Sequence, residues 1–233
     1  MKAVAVIEKG SVSVVHDCPE PRIGDYQALV KIEACGFCNG TDTRIIFDEL
    51  NTAQRQEAFP SILGHEGVGA IVRTGSRVRN LKVGEKHIRV RGTNAPGNKY
   101  TVNSGLMAEY GILTDYGAMK DDGLPIPADA PLIPARIPDD SDFVEAVMLI
   151  TLCECLSAVK NFGINAGTDV LVYGAGPVGL ALIRFMKITG VKSVTAIDCV
   201  PDRLEAAVKI SGADRAIDFS REDVEVALGG QLF

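Results

Sequence analysis

Residues 169–180 read DVLVYGAGPVGL, and the fold of the chain turns on this stretch. The apolar run Asp169–Tyr173 leads into Gly174-Ala175-Gly176-Pro177-Val178-Gly179, which fits G-x-G-x-x-G, and the apolar segment Leu180–Thr189 follows. That order predicts strand, tight turn and helix. The first glycine permits the turn, the second lets backbone approach a pyrophosphate, and the third brings helix against strand. Unpaired amides and the positive end of the helix then hold phosphate, which makes Gly174, Gly176, Pro177, Val178 and Gly179 candidate cofactor-binding residues. Asp198 ends the next apolar strand, Ser193–Asp198, where a carboxylate would accept hydrogen bonds from the adenosine ribose hydroxyls. It would also repel the extra phosphate of NADP, so NAD is favoured. Arg203, at the start of the next helix, keeps NADP in play. The plainer alternative is a glycine turn in an α/β protein without nucleotide, and strand, helix and acidic residue together argue against it.

Working outward, Asp202–Ser211 reads as a helix and Ala216–Phe219 as a third strand. Strands alternating with helices imply parallel βαβ units. Upstream, Phe143–Phe162 is apolar-periodic and reads as one long helix. Residues 1 to about 135 are β-rich and turn-rich instead, with β-branched runs at Val12–His16, Ala28–Ala34, Gly67–Thr74 and His87–Val90. Gly92–Ser104 reads as a loop, and Asp121–Pro138, with five prolines, as an extended connector. The division falls after Asp142, into a β-rich domain (1–142) and a nucleotide-binding domain (143–233).

Composition narrows the function classes. The chain has 233 residues, is 46% hydrophobic and 6% aromatic, and lacks Trp. Disorder needs low hydrophobicity with high net charge, and neither is present. A net charge of -6 makes nucleic acid an unpromising partner, because phosphate backbones are bound by clustered Lys and Arg. The apolar stretch around Val147–Leu152 is far short of the ~20 residues of a spanning helix, so no membrane partner is expected. Six cysteines in a chain this long do not make a disulfide framework, which points to a reducing cytoplasm. Cys18 and Cys199 read as buried small hydrophobes, Cys35 as strand packing, and His16 and His87 as hydrogen-bonded structural residues.

The remaining chemistry lies in Cys35-Gly36-Phe37-Cys38-Asn39-Gly40-Thr41-Asp42 and Gly64-His65-Glu66-Gly67. A Cys38 thiolate, a His65 imidazole and a Glu66 carboxylate are good zinc ligands, and a catalytic zinc keeps three protein ligands and one open position. Spacing alone leaves two other readings open: C-x-x-C as a redox pair, and two core cysteines with a surface histidine.

The stretches GFCNGTD (Gly36–Asp42), GHEGVGAIVRTG (Gly64–Gly75), VGEK (Val83–Lys86) and LVYGAGPVGL (Leu171–Leu180) together resemble the zinc-dependent medium-chain dehydrogenases, the superfamily of alcohol, sorbitol, threonine and glucose dehydrogenases. They follow the family's order across nearly the whole chain. The resemblance implies a GroES-like β-rich catalytic domain followed by a Rossmann doubly wound parallel sheet, with zinc in the cleft between them. It makes Cys38 and His65 catalytic zinc ligands, and Glu66 a ligand as in sorbitol-type members or a carboxylate beside the metal. Thr41 would be the hydroxyl that passes on the substrate proton.

Departures from the pattern carry expectations too. Asn39 adds one residue to the family's Cys-Gly-Thr/Ser-Asp. Arg44 stands where the relay often has His, which would send the proton out through water. Counting back from Gly174 puts Leu149 or Ile150, neither a metal ligand, where the family supplies another one; Cys153, Glu154 and Cys155 lie close by. Gly92–Gly111 holds no cysteine, so no structural zinc is expected. The sequence ends at Phe233, where the family's sheet would continue, so the chain is expected to hold the first half of the nucleotide fold, truncated at its C-terminus.

The function implied is a zinc-dependent oxidoreductase moving hydride between NAD and a secondary alcohol, with a polyol or sugar preferred. Zinc would act as a Lewis acid toward the substrate oxygen. Threonine-type chemistry is the close alternative, and a catalytically silent zinc- or nucleotide-binding fragment the distant one. A zinc-free, NADPH-dependent quinone reductase is disfavoured by the presence of Cys38, His65 and Glu66. The partner would be a small-molecule alcohol, and a homo-oligomer is compatible with the family.

Overall fold

Gln27–Gly36 (β3) is the strand around which the first part of the molecule is built. Its Ala28, Leu29 and Val30 are buried in succession, as befits a strand covered on both sides, and its later residues alternate toward solvent. The computed structural model describes residues 1–49, 59–92, 97–102, 104–132 and 135–230. Part of the loop expected over 92–104, part of the 121–138 connector and the last three residues lie outside these.

The chain forms two compact units, Met1–Ile150 and Thr151–Phe233. In the first, β3 pairs antiparallel with Glu66–Thr74 (β5) on one side and Tyr110–Thr114 (β7) on the other. Lys86–Ile88 (β6) adds to the far side of β5, completing a four-stranded sheet. Ala3–Glu8 (β1), Ser11–Val15 (β2) and Ser61–Ile62 (β4) form a second sheet in the order β2-β1-β4. Apolar side chains fill both faces of this framework. Val30, Ile71, Leu81, Val90 and Leu106 make one core cluster, and Val68, Ile88, Ile137, Ala146, Val147 and Ile150 make another.

The short helices of this unit include Asp42–Ile46 (α1) and Tyr116–Asp121 (α2). Asp115 caps α2 and is fully buried. Its carboxylate accepts from the Ala118, Arg79 and Asn80 amides and from the Asn80 side chain, so the loop 79–80 is tied to the helix start. The pattern of alternating β-branched residues does not reveal α2, β4 or β7. Each is four to six residues or fewer in length and is held by tertiary partners rather than by its own periodicity.

The long helix expected over 143–162 is instead two helices, Phe143–Ala146 (α3) and Met148–Asn161 (α4). The interruption sits at Val147, where Ile150 bonds back only three residues, to the Val147 carbonyl. Ala146, Val147 and Ile150 pack on Val68, Ile88 and Ile137, so residues 143–150 go with the β-rich compact unit, which runs to Ile150.

The second unit alternates strands with helices as read from the sequence. Asp169–Tyr173 (β8), Ser193–Asp198 (β9) and Arg215–Asp218 (β10) form a parallel sheet in the order β10-β9-β8. Pro177–Thr189 (α5) and Pro201–Ala206 (α6) provide the crossovers. Val194 to Ile197 are almost wholly buried in central β9, the continuous apolar run that a parallel strand shows. The helix expected over 202–211 is α-helical only to Ala206 and continues as a π-turn, Ala207–Ser211, closed by Gly212 at φ 85°. Val224–Ala227 (α7) follows, capped by Asp223.

Several single-residue expectations change. Cys199 is exposed, because it lies just past the buried end of β9, whereas Cys18 is buried as expected. His16 is exposed at the end of β2. His87 is buried, with Nε2 3.5 Å from Glu85 Oε2, but its Nδ1 has no hydrogen-bond partner among the described residues.

Candidate metal and cofactor sites

The antiparallel register of β3 with β5 explains how two distant motifs meet. Cys35 pairs with Gly67 and Gly36 with Glu66, so the end of β3 runs beside the start of β5. Two residues further on comes Cys38, and one residue before β5 comes His65. Ligand atoms of Cys38, His65 and Glu66 all lie within 4.8 Å of one another, and all three residues are half-buried. Glycines make this approach feasible. A Cβ on Gly36 would stand 2.7 Å from Glu66 Oε2 and from Val147 Cγ1, so any side chain there would push the carboxylate aside. Gly64 turns the chain into His65 at φ 91°, a conformation costly for other residues.

Asp42 organises the cluster, a role the sequence reading did not give it. It is fully buried at the start of α1. Its Oδ2 accepts from the Cys38 amide at 2.8 Å, and its Oδ1 accepts from the Gly64 amide at 3.4 Å and lies 3.5 Å from His65 Nδ1. One carboxylate therefore joins both motifs and turns the other ring nitrogen of His65 toward a ligand role, as carboxylates behind metal-bound imidazoles do. The signal was its place beside Thr41, four residues after Cys38; only the fold shows that it faces His65.

Electrostatics separates the cysteines. The hydrogen bond to Asp42 raises the His65 pKa to about 9, against the opposing effect of burial. Burial works against a Cys38 thiolate, but hydrogen bonds from Thr41, Gly40 and His65 outweigh it and bring the thiol below its ordinary range. The Thr41 amide approaches Cys38 Sγ at 3.4 Å. Burial pushes Cys35 up to about 12, leaving it a thiol. Thr41 itself is exposed at the start of α1, and the Thr43 hydroxyl donates to Asn39 Oδ1.

The glycine turn has the features expected of a phosphate cradle. Gly174 is at φ 93°. A Cβ on Gly179 would collide with the Gly174 carbonyl, so the helix can approach the strand only with glycine there. At Gly176 the direction a Cβ would take is open for 4 Å, which leaves room for a ligand against the backbone. Gly176 precedes Pro177 at the first turn of α5, a 13-residue helix whose opening amides are available to anions.

Asp198 lies beneath this turn, 5% exposed. Its Oδ2 accepts from the Ala175 amide at 2.7 Å, and its Oδ1 accepts from the Cys199 and Val200 amides. Burial opposes ionisation, yet these bonds hold the carboxyl below its usual range. Arg203 Nη1 stands 3.8 Å from Asp198 Oδ2 and is half-exposed. Of the further candidates, Cys155 is buried with Sγ 3.9 Å from the Val178 carbonyl, while Cys153 and Glu154 are exposed.

Residues 24–127 match the alcohol dehydrogenase GroES-like domain. An L-threonine 3-dehydrogenase of Enterobacter sp. (strain 638) is 31% identical over 249 residues, spanning 98% of this chain and 67% of that protein. The chain belongs to the zinc-dependent medium-chain dehydrogenase superfamily. Among solved structures, one described as a zinc-binding dehydrogenase of Sinorhizobium meliloti 1021, bound to NADP, superimposes with a TM-score of 0.71 at 26% identity, over 96% of this chain and 63% of its own. One described as a short-chain alcohol dehydrogenase (rspB) of Escherichia coli CFT073, complexed with NADH, gives 0.73 at 25%, over 98% and 65%. The medium-chain fold expected from the sequence, a GroES-like β-rich part with a Rossmann-like parallel sheet, is therefore the fold observed. The chain spans about two thirds of the length of the relatives it matches.

Proposed function

We propose that the chain carries the zinc and nucleotide sites of an NAD-dependent secondary-alcohol dehydrogenase, with Cys38, His65 and Glu66 holding one catalytic zinc. The convergence of these three side chains within 4.8 Å carries the reading. Thiolate, imidazole and carboxylate are a donor set suited to zinc, and three of them leave a fourth position for substrate. When bound, the zinc supplies Lewis acidity toward an alcohol oxygen and the nicotinamide takes up the hydride.

The chain's own residues would do the rest. Asp42 fixes the His65 ring, Thr41 holds a hydroxyl beside Cys38 for the departing substrate proton, and Arg44 leaves water as its onward acceptor. Gly174, Gly176, Pro177, Val178 and Gly179 would cradle the pyrophosphate, and Asp198 with Arg203 would meet the adenosine ribose. A carboxylate there favours NAD over NADP. Glu66 beside Cys38 and His65 supports the sorbitol-type ligand set, and with it a polyol or sugar as substrate. Threonine-type chemistry is a second reading, favoured by the 31% identity to an L-threonine 3-dehydrogenase. Six cysteines without a disulfide among the described residues support a reducing cytoplasm.

Metal analysis tests the reading first: about one zinc per chain, lost in Cys38→Ser and His65→Ala. NAD at about 100 times its dissociation constant should stabilise by about 2.7 kcal/mol. A panel of polyols, sugars and L-threonine with NAD then separates the substrate classes. Protein that keeps no zinc, or keeps it equally in both variants, overturns the assignment.

A further inference from the structure

A second concavity, of about 440 Å³, opens on the β-rich unit between the end of β6, the strand β7 and the start of α2. None of its lining residues belongs to the metal cluster or the glycine turn. We infer that it is a binding site for a small anion, a carboxylate or a phosphate, gripped by Arg89 and Arg91.

The lining and the backbone carry this. Both arginines line the concavity, and among the described residues neither guanidinium makes an ion pair. Arg79, Arg136 and Arg203, by contrast, do have carboxylate partners: Asp122, Glu85 with Asp139, and Asp198. The two cations share one hollow in a molecule of net charge -6.

The backbone places them deliberately. Arg89 is at φ 59°, a left-handed conformation that few residues other than glycine adopt and that clusters at ligand sites. Arg91 is pinned by reciprocal backbone bonds with Ile112, its amide donating at 3.0 Å and its carbonyl accepting at 2.7 Å. The planar guanidinium fork suits both carboxylate and phosphate, and the volume suits a metabolite-sized molecule. Thr114 and Tyr116 add hydroxyls to the lining, and Asp129 adds an acceptor for a hydroxyl or amine on the same ligand.

The test is a titration of the 233-residue chain with inorganic phosphate, and separately with succinate, followed by amide chemical shifts. Saturable shifts at residues 88–92 and 112–116 are expected, and whichever anion gives the lower dissociation constant identifies the headgroup. Arg89→Gln and Arg91→Gln should each weaken binding about tenfold, as losing one charge-assisted bond does, while Lys209→Gln should leave it unchanged. Rising salt should weaken it further. Shifts confined to the glycine turn or the metal cluster, no saturable shift at residues 88–92, or unchanged affinity in an Arg89→Gln/Arg91→Gln double variant would overturn the site. Because the shifts are read on the unmodified chain, a poorly folding variant leaves the outcome decidable. The result is also independent of whether zinc or NAD binds.

Discussion

At the scale of single residues, Asp42 concentrates more of the candidate metal site than any of the ligands. It is buried, it fixes the Cys38 amide and it faces His65 Nδ1, so its charge is felt by two ligands at once. Asp42→Asn keeps the shape but removes the charge that orients and polarises the imidazole. Zinc affinity should fall about 10- to 100-fold, the usual effect of losing a carboxylate behind a metal-bound histidine. Cys38→Ser, which would remove a proposed ligand outright, should do worse. Competition with a fluorescent chelator orders the two, and an Asp42→Asn protein that holds zinc as tightly as the parent would refute the orienting role. The cysteines teach the same lesson about context. Cys35 and Cys38 are three residues apart, yet burial locks one as a thiol while hydrogen bonds bring the other toward its thiolate.

At the scale of elements, the turn from β8 into α5 assigns different work to its glycines. Gly179 is demanded by packing, since a Cβ there meets the Gly174 carbonyl, whereas Gly176 faces open space. Gly179→Ala should therefore destabilise by on the order of 3 kcal/mol, the upper end of overpacking effects, and weaken NAD binding as a consequence. Gly176→Ala should leave stability within about 0.5 kcal/mol, as harmless exposed changes do, while still obstructing the nucleotide. Urea denaturation beside NAD titration separates them; equal loss of stability in both would show that the cradle is not open. This element was also the most legible one. β8 and β9 occupy the very residues read as strands, because each is a short β-branched run bounded by turn residues, and central β9 is buried almost throughout. The helix over 143–162 was misjudged because apolar periodicity continues through Val147 while the hydrogen-bond ladder does not.

At the scale of the whole molecule, stability should fall in acid for identifiable reasons. Asp115 has a depressed pKa: burial disfavours its charge, but bonds from Asn80, Ala118 and Arg79 win. A carboxyl whose folded pKa lies below its unfolded value near 3.8 contributes fully above that value. Its contribution is lost as pH falls through 3.8 and below. Asp214, paired with Lys187, and Asp198 act in the same direction in the second unit. Asp115→Asn should cost about 2 kcal/mol at neutral pH, because an amide nitrogen in place of Oδ2 cannot accept from the Arg79 and Asn80 amides, and should flatten the acid limb of a melting-temperature profile. A variant that loses stability in acid as steeply as the parent would show that other groups govern it.

The sequence by itself determined what depends on neighbours along the chain: the alternation of strand and helix after residue 150, the glycine turn with its acidic partner about 20 residues on, and the donor types available to a metal. Tertiary structure alone decided which of those donors meet. The pairing of β3 with β5 passes through two register shifts, and a slip of one residue would turn every side chain of a strand to its other face. No local pattern encodes that count. Only the assembled sheet could bring Cys38 to His65 and Glu66, bury Asp42 behind them, and gather Arg89 and Arg91 around one hollow.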